Sequence, residues 1–154
     1  TITGIDSPDG PVEQAEPGQA VTVLLKDDLS ITRGDMLCRP NNRPRTSQEL
    51  EAMLCWMDDA APLQLDKIYT VKHTTKLARG KVSSVLYRLD ISNLHREMGI
   101  NDLKFNEIGR VTLHTTSPLF FDDYHQNRTT GSFILVDESS GQTVAAGMLL
   151  SPRS

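Results

Sequence analysis

Cys38 and Cys55 are the only cysteines in 154 residues. The opening TITGIDSPDG has neither the basic region nor the apolar run of a secretory leader. A disulfide scaffold is therefore not the expectation. Two free, buried thiols in a reducing cytoplasm are, with a Cys38–Cys55 bridge as the lesser alternative. Aromatic residues make up only 5% of the chain, too few for a broad base-stacking platform. No apolar run reaches membrane-spanning length. Cationic side chains are not in excess either: 16 Lys and Arg stand against 20 Asp and Glu, a net charge of −4. Binding to a nucleic-acid backbone is accordingly disfavoured.

The spacings that carry chemistry are missing as well. No G-x-x-x-x-G-K-[ST] loop is present to cradle a nucleotide phosphate. Cys38, Cys55, His73, His95, His114 and His125 form no C-x-x-C or H-x-x-x-H pair, so they read as packed or surface side chains. No G-x-S-x-G elbow marks a nucleophile, and Cys55 sits among apolar neighbours in a strand-like run. Asp27-Asp28, Asp58-Asp59 and Asp122-Asp123 read as solvated loop carboxylates. No catalytic, cofactor or metal residue is predicted in this chain. Arg33-Gly34-Asp35 reads as a tight bend in which Gly34 takes positive φ, not as an adhesion tripeptide.

What remains is a succession of short strands separated by turns. The chain begins on Thr1 inside a strand-like run and reads as a piece of a longer protein. Residues 1–44 offer strands over Thr1–Asp6, Ala20–Lys26 and Asp35–Arg39, with turns at Ser7–Pro11 and Glu16–Gln19 and a linker at Pro40–Pro44. Three strands are too few for a closed β domain, so this unit is expected to be incomplete. Residues 45–150 form a second unit and 151–154 a tail. The second unit has runs over Glu49–Met57, Leu65–His73, Lys81–Leu89, Ile108–Thr116, Ser132–Asp137 and Thr143–Leu150. Glu49–Met57 is apolar on both faces. Lys76–Gly80 reads as a loop, and Ser92–Met98 as a helical turn capped by Asp90 or Ser92 and ended by Gly99. Glu138–Gln142 closes the last hairpin through Gly141. Evenly spaced strands of this kind make a barrel or sandwich.

One loop has the composition of a contact surface. Pro118–Tyr124 gathers Phe120, Phe121 and Tyr124 beside Asp122, and Arg128 follows. Exposed aromatics with an arginine are common interface anchors. At least one of the two phenylalanines is expected instead to close the barrel. The candidate contact residues are Phe120, Phe121, Asp122, Tyr124 and Arg128.

Ala15, Gly18, Val21, Val23, Leu25, Asp28, Arg33, Gly34, Asp35 and Leu37 follow a pattern that resembles the second domain of translation-type GTPases. Lys72–Thr75, Tyr87–Asp90, Leu94–Arg96, Asn106–Val111, Pro118–Asp122 and Gly131–Gly147 look like the C-terminal barrel of one branch. That branch is the large, GTPase subunit of bacterial sulfate adenylyltransferase (ATP sulfurylase), including forms fused to adenylylsulfate kinase. The resemblance implies an all-β fold: an elongation-factor-Tu domain-3-like, six-stranded antiparallel barrel over 45–150, preceded by part of a domain-2-like β unit over 1–44. It implies GTP and Mg²⁺ for the parent's preceding GTPase domain, and no cofactor for any residue here. It further implies a scaffold that meets that domain and the small catalytic subunit, with neither membrane nor nucleic acid as partner. Open sheet edges in the first unit also allow dimers. The alternatives are a translation-factor barrel that contacts tRNA or a protein, and a self-sufficient small enzyme.

Overall fold

The computed structural model describes residues 1–151; Pro152 to Ser154, most of the expected tail, lie outside the described residues. All regular structure among the described residues is β. The strands are β1 (Ile2–Ser7), β2 (Gly10–Val12), β3 (Thr22–Leu25), β4 (Arg45–Trp56), β5 (Ile68–His73), β6 (Lys76–Leu89), β7 (Arg96–Glu97), β8 (Ile108–Phe121), β9 (Ser132–Val136) and β10 (Thr143–Leu150). Contacts divide the chain into two units, Thr1–Thr32 and Arg33–Ser154.

The first unit is a three-stranded antiparallel sheet in the order β2-β1-β3. The Pro8-Asp9 turn joins β1 to β2, pairs Ser7 with Gly10, and is braced by the Ser7 hydroxyl donating to the Gly10 carbonyl at 2.9 Å. Asp35–Arg39, expected as a strand, is irregular and belongs by contacts to the second unit. Gly34 does take positive φ (100°). An added Cβ there would lie 2.8 Å from the Lys76 side chain.

In the second unit β5-β9-β10-β4-β8-β6 are hydrogen-bonded in that order, and β6 pairs back with β5. The six strands therefore close into an antiparallel barrel, which removes sheet edges. Alternation places the core. Leu50, Ala52, Leu54 and Trp56 of β4 point inward and are buried, as are Tyr69, Val71, Val111, Leu113, Phe133, Leu135 and Leu149. Each of the valine, leucine and phenylalanine side chains contributes about 1.5–3 kcal/mol by leaving water. Glu51, Met53 and Cys55, the alternate residues of β4, are half-buried on the outer face, not in a second core.

Two sequence expectations change here. Lys76–Gly80 is the start of β6, not a loop; β5 and β6 are joined by a tight Thr74-Thr75 turn, with Thr74 at φ 50°. Gly80 is a strand residue because a Cβ would stand 2.8 Å from Val71 and 3.0 Å from the His114 carbonyl. Ser92–Met98 is no helix. Asp90 accepts from the Ser92 amide and hydroxyl and from Asn93, folding a hairpin loop that returns as β7. The register of β6 against β8 slips at Val82/Ser84 and again at Val85/Tyr87. Those bulges explain why apolar residues in β6 recur at 82, 85 and 87 without strict alternation. The final hairpin forms as expected, with Gly141 at φ 70°.

Candidate functional site

The segment read as an exposed aromatic loop is divided by the end of β8. Pro118–Phe121 is strand, and alternation sends Leu119 and Phe121 into the core, at 0% and 3% exposure. Phe121 is therefore a barrel-closing residue, not a surface contact. Phe120 is half-buried on the other face, under Lys76, whose ammonium lies 5.7 Å from the ring centroid and donates to the Pro118 carbonyl at 2.7 Å. Asp122 is half-buried and accepts from the Thr130 hydroxyl at 2.7 Å.

The following loop is held by its own backbone. The Tyr124 amide donates to the Leu149 carbonyl, and the Leu149 amide to the Gly131 carbonyl. Asn127 caps the turn by accepting from the amides of Thr129 and Thr130. The Asp123 carboxylate accepts from the Ser151 amide at 2.7 Å and the His125 amide at 2.9 Å, and these bonds hold its pKa below the usual carboxylate range. Beneath the loop, buried His73 donates a ring N–H to the Thr130 carbonyl at 2.7 Å. Burial holds its pKa below the ordinary value of 6.5.

Two hollows flank this loop. Tyr124 and Arg128 border an open depression of 810 Å³ with Cys55, Lys72, Ile134 and Met148. Asp122 borders a separate, more polar hollow of 600 Å³ beside Met36, Arg39 and Asn42. Of the five predicted residues, then, the fold brings Tyr124 and Arg128 together, sets Asp122 apart from them, and directs Phe120 and Phe121 elsewhere. The sequence reading missed Ile134, Ala146, Met148 and Cys55. The signal for Ile134, Ala146 and Met148 is that these alternate positions of SFILV and TVAAGMLL stay apolar on the outer face of a sheet whose other face is core, and for Cys55 it is the apolar outer face of β4.

The thiols are both free, as expected; Cys38 is exposed and Cys55 half-buried, so neither is fully buried as the sequence suggested. No three His, Cys, Asp or Glu among the described residues converge on a metal-binding geometry. No helix among the described residues is long and apolar enough to cross a membrane.

Acid should act on this region in two stages. His73 is held neutral, so its contribution is full above the unfolded value of 6.5 and declines as pH falls below it, because only the unfolded chain then gains a proton readily. The other groups with shifted pKa values titrate in the carboxylate range or far above neutrality. The urea midpoint should therefore fall between pH 7.5 and pH 5, and His73→Gln, which keeps an N–H donor, should flatten that slope. A second loss should follow between about pH 4 and pH 2. Asp137 is pulled down to about 2 by the hydrogen bond from Lys67 and the Ser140 amide, and its stabilisation disappears as it protonates.

Comparison with known proteins agrees with the barrel. Residues 49–150 match the family model "GTP-eEF1A C-terminal domain-like". The chain is 51% identical over 149 residues to the "Bifunctional enzyme CysN/CysC" of Mycobacterium tuberculosis (strain H37Rv), covering 97% of this chain and 24% of that protein. It is 42% identical over 150 residues to "Sulfate adenylyltransferase subunit 1" of Aeromonas hydrophila, covering 97% of this chain and 31% of that protein. The chain thus spans roughly a quarter to a third of the length of these relatives. A crystal structure of sup35 complexed with GDP superposes with a TM-score of 0.84 at 18% identity, over 99% of this chain and 38% of that one, a likeness of fold. With its closed six-stranded barrel and a family match over most of that barrel, the chain belongs to the GTP-eEF1A C-terminal domain-like family.

Proposed function

We propose that this chain is a non-catalytic scaffold and partner-contact region of the GTPase subunit of a cytoplasmic sulfate adenylyltransferase. In that enzyme GTP hydrolysis is coupled to making adenylyl sulfate from ATP and sulfate. The observation that carries the reading is sequence identity of 51% and 42%, sustained over 97% of the chain, to relatives whose names specify that enzyme system. On this reading GTP and Mg²⁺ are handled by the parent's GTPase domain, and adenylyl transfer by the small subunit. The barrel supplies a stiff body with an exposed outer face that both can meet. Its stiffness follows from closure: all six strands have two neighbours, so a docking face on it loses little conformational entropy on binding.

The test is calorimetry of the 154-residue chain against the purified small catalytic subunit, GTP with Mg²⁺, and tRNA. Saturable binding of the small subunit with Kd below about 10 µM is expected, equivalent to roughly −7 kcal/mol or stronger. GTP should give no heat. Micromolar GTP binding would overturn the division of labour. Binding of tRNA that weakens steeply with salt would favour a translation-factor barrel instead.

A further inference from the structure

The register of the barrel builds a feature on its outer face that alternation alone does not require. Lys72 pairs with Ile134, Ile134 with Ala146, and Ala146 with Cys55, so these four residues form one row across β5, β9, β10 and β4. In the next row Ser132 pairs with Met148 and Met148 with Met53. Ile134, Ala146, Cys55, Met148 and Met53 thus make a continuous apolar stripe where the outer face of an antiparallel sheet is ordinarily polar. Ala146 is small and Met148 is 37% exposed, which leaves Ile134, Ala146, Cys55 and Met148 as the floor of the 810 Å³ depression, with Met53 beyond it.

Charge gives the stripe a direction. Lys72 lies at one end and Arg128 on the bordering loop, and neither takes part in an ion pair among the described residues. Most other cations of the barrel's strands are committed: Arg79 to Glu138, Lys81 to Asp66, Arg88 to Glu97 and Glu107, Arg110 to Glu51, and Lys76 to a carbonyl; Arg45, at the start of β4, does not line the depression. The lining of the depression thus carries two cations and no carboxylate, on a chain whose net charge is −4. A face with an apolar floor and uncompensated positive edges complements a segment that presents apolar side chains flanked by carboxylates. A phosphate backbone would have two cations and no apolar counterpart for the floor. A second copy docked face to face would add two more cations and no carboxylate to the contact. Tyr124 and Arg128, fixed by the hydrogen-bonded loop, are the residue types that anchor interfaces.

We infer that the outer face of β9, β10 and β4, edged by Lys72 and Arg128, seats an acidic-apolar segment of the small catalytic subunit. The inference rests on the function proposed above and deepens it by naming the surface and the chemistry it recognises. The test places the photo-crosslinker p-benzoylphenylalanine at Met148 and, as references, at Leu77 and Leu94, which are 64% and 71% exposed. Each version is mixed with the purified small subunit and illuminated. Cross-links from Met148 to a segment rich in Asp or Glu and apolar residues are expected. Calorimetry of the Lys72→Glu, Arg128→Glu double variant should show binding at least about tenfold weaker, because both substituted positions are exposed and repel the same carboxylates. Binding that persists with cross-links only from Leu77 or Leu94 would overturn this surface while leaving the proposed function intact. Met148 cross-linked to another copy of the chain, with dimers in sedimentation, would also overturn it. Absence of any binding to the small subunit would remove both readings.

Discussion

Trp56→Ala is expected to cost the barrel about 3–5 kcal/mol, the range for deleting a fully buried large aromatic. Trp56 ends β4, is 1% exposed, and does three things at once. Its ring meets Tyr69 edge-on at 5.9 Å, its indole N–H donates to the Ala61 carbonyl at 2.7 Å, and its backbone exchanges hydrogen bonds with Asn106 and Glu107. The side chain therefore anchors the segment after β4 to the core, while the backbone anchors the segment before β8. Trp56→Phe separates the contributions. It retains most of the buried ring but leaves the Ala61 carbonyl without its donor, and should cost roughly 1–3 kcal/mol. Urea unfolding followed by far-ultraviolet circular dichroism checks both variants. An alanine variant within about 1 kcal/mol of the parent would mean that this end of the barrel repacks, contrary to the closed core described above.

How far the fold can be read from sequence depends on which physical signal each element carries. The β9–β10 hairpin is legible because alternation and a left-handed Gly141 agree. The start of β6 is not, because Gly80 looks like a breaker. Its smallness is demanded by Val71 and the His114 carbonyl across the sheet, contacts that exist only after folding. Pro118 likewise suggests a loop. It is accommodated in β8 because pairing with β4 is irregular between His114 and Leu119, where no ladder donor is needed from it. The candidate surface divides along the same line. Tyr124 and Arg128 are visible from residue type and neighbourhood. The apolar row needs the register of four strands, which local sequence does not specify, since a slip of one residue would turn every side chain to the opposite face.

That dependence on register singles out Gly147, where substitution should disturb both fold and surface. Gly147 pairs with Phe133 across β9 and β10, and both face the core. The Phe133 ring lies over the glycine so closely that an added Cβ would stand 2.2 Å from Cζ and 2.3 Å from Cε1. The ring must then leave its site inside a closed barrel with no free edge to yield, and overpacking of this kind costs about 1–3 kcal/mol or more. Gly147→Ala should lower the urea midpoint, followed by fluorescence of Trp56, by an amount in that range. Phe133→Leu alone should also destabilise, since it leaves space over Gly147. The double variant should recover part of the alanine's cost, because the smaller side chain vacates the volume the new methyl occupies, giving a coupling energy of about 1 kcal/mol or more. Additive losses would mean that the ring and the glycine are not in the contact described. The same variants bear on function. Ile134 and Ala146 flank the Phe133–Gly147 pair and point outward only because that pair points inward. Gly147→Ala, assayed at a temperature where it remains folded, should therefore weaken binding of the small subunit, and the double variant should restore it. A destabilised but normally binding Gly147→Ala would detach the outer face of β9 and β10 from the recognition assigned to it.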